Sequence, residues 1–462
     1  MLPDTGYRTQ PELCTNSVAN QHHNHLFSVT ILLAVMTFLL LLLLNPEWAI
    51  GQTEVSKTDS TLQTRLSQVP SSSITHGSIS GSEPNPQADH LLGELFDQFS
   101  DTNRLDLELY GYFQQGVTLN PASPDDRLNG PVLNNYRSNA FQLNGLYLVG
   151  ERKIDADSPD IQLGGRVGML YGTDAAFGLS DGLDANIVSD DASRFNKLAF
   201  PQLYGNLFLP YGSGVSFKFG KFFSPIGNEW LYSAKNFFYS HFLSWNLQPG
   251  THTGVLAETK FHDNWVFRFG PNFGWNTSEN SNHATSYLST IQWTSPDKHS
   301  QIYFAIQSGD QSTVITTADS NVVNYSLIVN QDLRHNWHYM LEHDLLTSHS
   351  RTGVARNNFE TYSLAQYLFY KMNEQYRFGI RFEWLRDDDG ILKGFDPMAP
   401  SAPGSYYNLT LGMNWYPRPY LRVRPEIRWD TQIRDSAADT PAFDDGTSTS
   451  QLLLACDILL EF

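Results

Sequence analysis

From about residue 104 to the C-terminus, apolar residues recur at every second position rather than at helical spacing. Successive side chains of a strand point to opposite faces, so this alternation gives each segment one apolar and one polar side. In LLLACDILLEF, Leu452, Leu454, Cys456, Ile458, Leu460 and Phe462 share one face. Gln451, Leu453, Ala455, Asp457, Leu459 and Glu461 share the other. In QYRFGIRFEWLR, Tyr376, Phe378, Ile380, Phe382 and Trp384 oppose Arg377, Arg381 and Glu383. In YLRVRPEIRWD, Leu421, Val423, Pro425, Ile427 and Trp429 oppose Arg422, Arg424, Glu426, Arg428 and Asp430. At the start of the ladder, Leu105, Leu107, Leu109 and Phe113 oppose Asp106, Glu108, Tyr110 and Gln114.

About sixteen such segments follow one another, centred near residues 110, 145, 166, 205, 218, 258, 268, 290, 304, 326, 341, 367, 380, 411, 425 and 456. Near 205, 341 and 367 either face reads as the apolar one. Short connections such as PYGSG, HDN, SPDK, DLRHN, NEQ and PRP alternate with long polar stretches. The long ones are 117–139, 173–197, 222–252, 274–285, 309–320, 346–360, 387–405 and 431–450. A soluble sandwich has no reason to sort its loops this way. A transmembrane up-and-down barrel does, with short periplasmic turns and long outer loops. The expected fold is therefore all-β: a transmembrane antiparallel β-barrel of about sixteen strands over residues 104–462.

Physical arithmetic supports that choice. A strand of about ten residues rises about 33 Å and, tilted about 45°, covers an apolar band about 24 Å tall. Barrel pairing satisfies every backbone group, as hydrocarbon demands. An Arg or Lys facing lipid at mid-depth costs about 2–4 kcal/mol, so the charged faces must look into a wet interior. Trp265, Trp293, Trp384, Trp415 and Trp429 at strand ends suit interfacial girdles. The competing reading is an exported, water-soluble all-β protein. At this length it needs two domains, and no linker-like break occurs after residue 104.

Composition excludes other classes. Charged residues are only 17% of the chain, against about 25% in globular proteins. The net charge of −18, with no basic stripe, argues against nucleic acid. Two cysteines, Cys14 and Cys456, give no disulfide framework once a leader is removed and no zinc spacing. Residues 26–44, LFSVTILLAVMTFLLLLLL, are followed by Asn45-Pro46 and AIGQ. This predicts an export signal over 1–51 cleaved after Gly51, with a retained anchor as the competing reading. Residues 52–103 read as a disordered Ser/Thr/Pro/Gln-rich linker with a short amphipathic helix at 89–99. No G-x-S-x-G, H-E-x-x-H, phosphate loop or dinucleotide turn is present, so no enzyme and no cofactor are expected.

Residues 219–261 contain Gly220-Lys221, a Gly227-x-Glu229 step, Asn236, Tyr239-Ser240 and a Pro249-x-x-His252-x-Gly254 entry into the next strand. This stretch resembles the signature of an outer-membrane β-barrel porin family described as OmpL-like. The resemblance implies an outer-membrane channel and says little about cargo. Phe462, closing an alternating strand, resembles the signal read by barrel-assembly machinery.

In general porins the third long loop folds into the lumen and narrows it, and the resemblance implies the same for 222–252. That loop places Glu229, Lys235 and His241 near the eyelet, with NEWLYSAKNFFYSHFLSW as the one section suited to a short helix. The competing reading is an outer loop packing on its own aromatics. Arg377, Arg381, Glu383, Arg422, Arg424, Glu426 and Arg428 are the expected pore-lining residues, forming a basic wall with a weak preference for anions. Arg–carboxylate pairs bracing the wall are the structural alternative. His338, Glu342 and Asp344 share one strand face, and Asp387–Gly390 forms an acidic loop tip; neither makes a defined metal site. The expected function is passive diffusion of small solutes or ions, against a non-conducting structural or adhesion barrel. Expected partners are outer-membrane lipid, assembly machinery and small solutes, with a homotrimer and a monomer both open.

Overall fold

The computed structural model describes residues 107–190, 192–279, 283–311, 320–350, 358–392 and 402–462. The expected leader over 1–51 and the linker over 52–103 lie outside the described residues. The strands are Leu107–Leu119 (β1), Ala140–Arg152 (β2), Gln162–Gly172 (β3), Lys197–Leu209 (β4), Val215–Phe223 (β5), Thr251–His262 (β6), Trp265–Asn272 (β7) and Ser286–Thr294 (β8). They continue with Ser300–Gln311 (β9), Ser320–Asp332 (β10), Trp337–Ser350 (β11), Phe359–Lys371 (β12), Tyr376–Asp387 (β13), Gly404–Arg418 (β14), Leu421–Arg434 (β15) and Ser450–Glu461 (β16). Each of the sixteen expected segment centres falls inside one of them.

Every strand pairs with its sequence neighbours, all antiparallel, and β1 pairs with β16 to close the ring. The closing register sets Tyr112 opposite Glu461 and Val117 opposite Cys456. Beyond the ladder, Gly111 N–H donates to the Phe462 carbonyl at 2.7 Å, and Phe462 N–H donates back at 3.0 Å. A closed ring leaves no strand edge, so the wall satisfies its backbone polar groups without water.

Burial alternates along the strands as the sequence predicts. On β13, Phe378, Ile380 and Phe382 are 41–44% exposed, whereas Arg381 and Glu383 are fully buried. On β16, Leu452, Leu454 and Ile458 are outward, and Leu453, Asp457 and Leu459 are buried. The outer aromatics lie toward both ends. Trp265, Trp293, Trp337 and Trp415 sit near the short-turn end; Trp384 and Trp429 lie toward the long-loop end.

The section between β5 and β6 that suits a short helix forms no α-helix. The segment contains two short 3-10 turns, Ser233–Lys235 and Leu243–Leu247. Its backbone groups bond instead to side chains of the barrel wall, which removes the reason for a continuous helix.

Candidate functional site

The segment 224–250, between β5 and β6, is rich in aromatics and packs against the inward faces of β11 to β15. Phe237, Phe238, Phe242, Leu243, Trp245 and Leu247 are all buried. Phe237 meets Phe369 of β12 with ring centroids 4.7 Å apart, and Phe238 and Phe242 approach Tyr367. The wall is notched to receive them. Gly379 on β13 and Gly412 on β14 are cross-strand partners. A Cβ on Gly379 would lie 2.4 Å from Phe237, and one on Gly412 would lie 2.9 Å from Phe238.

Backbone polarity decides the remaining contacts. A loop without regular structure exposes N–H and C=O groups that must find partners when buried. Here carboxylates of the wall take the N–H groups. Glu383 accepts from Leu243 at 2.6 Å and Ser244 at 2.8 Å. Glu426 accepts from Tyr239 at 2.9 Å and Ser240 at 3.2 Å. Glu342 accepts from Asn228 at 3.1 Å.

Guanidinium groups take the carbonyls. Arg422 donates to Ala234 at 2.6 Å, and Arg424 donates to Asn236 at 2.9 Å and Phe238 at 3.1 Å. Arg428 donates to the His241 carbonyl, and Arg381 donates to the Ser240 carbonyl at 2.7 Å. Arg424 also forms a bidentate pair with Asp457 of β16, at 2.6 and 2.9 Å, and Arg428 pairs with Asp430. Charge-assisted bonds of this kind are the stronger class of hydrogen bond.

The expected pore-lining residues therefore face inward, and most are covered by the loop. Arg381, Glu383, Arg422, Arg424 and Arg428 are at most 1% exposed, and Glu426 is 4% exposed. Arg377, nearer the short-turn end, stacks its guanidinium over the Tyr416 ring at 5.1 Å. The three loop residues are brought together less tightly than expected. Glu229 and His241 share a hydrogen bond of 2.7 Å from ring Nδ1, while Lys235 is half-buried on a separate turn.

Glu229 is the electrostatic centre of the loop. Arg381 Nη1 lies 2.7 Å from one carboxylate oxygen, which also accepts from Tyr367 at 3.0 Å. Burial alone would raise this carboxyl, but the Arg381 charge and the His241 hydrogen bond outweigh it and hold it at about 2. Burial pushes the His241 imidazole below its usual value, and its Nδ1 faces the Glu229 carboxylate. That ring stacks on Trp245 with centroids 4.1 Å apart. Burial also lowers the Lys235 ammonium.

The residues behind the family resemblance build this loop. Gly220 and Gly227 adopt φ of +126° and +84°, conformations open to glycine. Lys221 bonds Asp184 and the Gly178 carbonyl, both at 2.8 Å, tying the loop's first strand to the preceding loop. Asn236 brackets Trp230 through its N–H and its carbonyl. His252 spans Ser224 and the Gly274 carbonyl. Sequence reasoning missed the notch at Gly379 and Gly412; two glycines at inward positions of adjacent strands were its only signal. Among the described residues, no group of three or more His, Cys, Asp or Glu is arranged to hold a metal ion.

The family model described as "Putative beta-barrel porin-2, OmpL-like" matches residues 106–462. Among solved structures, the chain is similar to an anion-selective porin from Comamonas acidovorans, at 10% identity and a TM-score of 0.51, covering 77% of this chain and 99% of that one. It is similar to OprB of Pseudomonas putida at high pH, at 12% identity and a TM-score of 0.51, covering 80% and 96%. It is also similar to OmpF of Salmonella typhi in complex with daunomycin, at 11% identity and a TM-score of 0.51, covering 77% and 97%. At these identities the likeness is one of fold. No curated protein matches the sequence.

Proposed function

The chain belongs to the OmpL-like family of β-barrel porins, and from that premise we propose that it forms a water-filled outer-membrane channel for passive diffusion of small hydrophilic solutes or ions. The observation behind this reading is the closed sixteen-strand ring with apolar residues outward and charged residues inward. About eight strands can fill with side chains, whereas sixteen leave an interior wide enough for water. Family and fold point to a channel and not to a catalyst.

In this reading residues 224–250 are the constriction, with Glu229, Lys235 and His241 closest to the narrowing. Their anchorage to β11–β15 supports it. Arg381, Arg422, Arg424 and Arg428, with Glu383 and Glu426, serve the channel by bracing that constriction, and Arg377 lines the lumen nearer the short-turn end. A weak anion preference rests on the arginine-rich inward faces of β13 and β15. Residues 1–51 act as the cleaved export leader, and the strand ending at Phe462 is the contact for barrel assembly.

A second reading, a non-conducting structural or adhesion barrel, is favoured by the aromatic packing beneath the loop. Conductance of the refolded full chain in planar bilayers separates the two. Stepwise openings are expected. A silent bilayer from protein that gives a heat-modifiable, closed-barrel band on a gel would leave the second reading standing. Reversal potentials in a salt gradient test the anion preference, and clear cation selectivity overturns it.

A further inference from the structure

The loop is anchored on β11–β15, and the opposite wall is treated differently. Between the inward faces of β2–β7 and the loop at Trp230 lies a cavity of about 150 Å³, on the short-turn side. That is room for on the order of ten waters, the size class of a single-ring solute. Its charges are not balanced. Arg166 pairs with Glu151 at 2.6 Å, and Arg268 pairs with Glu258. Lys153 at the rim pairs with Glu108, and a fourth lining cation, Lys218, makes no ion pair among the described residues. Its ammonium lies 4.6 Å from the centroid of the Tyr204 ring and 5.7 Å from that of Phe222.

The arginines have donors to spare. Arg268 is 2% exposed, yet its Nη2 has no acceptor among the described residues, and the same holds for Arg166 Nε. Phe222, Phe223, Trp230 and Leu256 supply apolar surface around these groups. An ammonium in no ion-pair contact and guanidinium donors without acceptors together call for a negatively charged acceptor with two oxygens. The aromatic walls call for a flat apolar body attached to it.

We propose that this chamber binds a small aromatic monocarboxylate, its carboxylate held by Lys218 and Arg268 and its ring set among Tyr204, Phe222 and Trp230. A cation meets surplus positive charge there. An inorganic anion leaves the aromatic faces unused, and a neutral amide leaves the ammonium uncompensated. The proposal rests on the channel reading only for the solute's route to the chamber.

Benzoate is the probe, titrated into the refolded full chain in detergent by calorimetry, with benzamide, benzylamine and acetate as comparators. Benzoate binding is expected to saturate and to be at least about tenfold tighter than that of each comparator. Lys218→Met weakens it about tenfold or more, while Lys218→Arg retains it. Equal affinity for benzamide, or an unchanged affinity in a Lys218→Met protein that still gives the closed-barrel band, overturns the proposal. The comparison of benzoate with benzamide needs no variant, so a misfolded mutant does not shield the idea. Salt conductance separates the two readings: a conducting protein that ignores benzoate sinks this site and spares the channel. A non-conducting protein that binds benzoate does the reverse.

Discussion

Gly379 of β13 and Phe237 of the inward loop are in such close apposition that a single added carbon would fall 2.4 Å from the phenyl ring. Gly379→Leu therefore forces either the ring or the strand to move. Overpacking of this kind costs about 1–3 kcal/mol. The expected result is a lower temperature for loss of the compact gel band, together with altered single-channel conductance. A variant with the wild-type transition and conductance would mean that Phe237 is not held in its notch.

Arg381 is the cation that neutralises Glu229. Arg381→Ala leaves a buried carboxylate without its charge partner, a loss of about 3–5 kcal/mol. Arg381→Ala combined with Glu229→Gln is expected to recover part of that loss, because the stranded charge is gone. Unfolding of the four proteins in detergent gives the coupling energy directly. Strict additivity would show that the pair does not interact.

Acid should loosen the loop within a defined window. Glu229 is held at about 2 in the folded protein, against 4.5 ordinarily. A depressed carboxyl contributes stability that is complete above about 4.5 and disappears as pH falls through about 2. Unfolding midpoints measured at descending pH are expected to drop over this interval in the wild type and to drop less in Glu229→Gln. Parallel curves for the two proteins would assign the acid sensitivity to other groups.

Ile380 and Arg381 are neighbours in sequence and lie on opposite faces of β13, the first 44% exposed and the second buried against the loop. Ile380→Arg places a guanidinium on the outer face midway along β13, with an expected penalty of about 2–4 kcal/mol. Reversible folding into lipid vesicles measures it. A penalty near zero would remove hydrocarbon from that face.

The loop's part in narrowing the lumen is tested by deleting 229–246. Larger single-channel conductance is expected from a barrel that still closes. Conductance equal to the wild type would place the narrowing elsewhere.

The strands were legible wherever one face meets hydrocarbon and the other meets charge, as in β13, β15 and β16. β12 was ambiguous for a physical reason. Leu364, Leu368 and Tyr370 face outward, but Ala365, Tyr367 and Phe369 face inward onto the loop's phenylalanines. Alternation assumes water inside the barrel, and here the interior contains protein. The arginines of β13 and β15 were legible as inward residues, but their partners were not. An arginine facing a channel and one bonded to a loop carbonyl leave the same sequence spacing. Arg166, Lys218 and Arg268 gave no signal because they meet only when the five strands β3 to β7 are assembled in order.

The bonds that fix the inward loop join residues far apart in the chain: Ser233 to Arg424 spans 191 positions, and Leu243 to Glu383 spans 140. A segment made midway along the polypeptide thus lacks most of its seat until the last third has been synthesised and has entered the ring. Any folding intermediate lacking β13–β15 lacks the carboxylates and guanidinium groups that take most of this loop's buried backbone bonds.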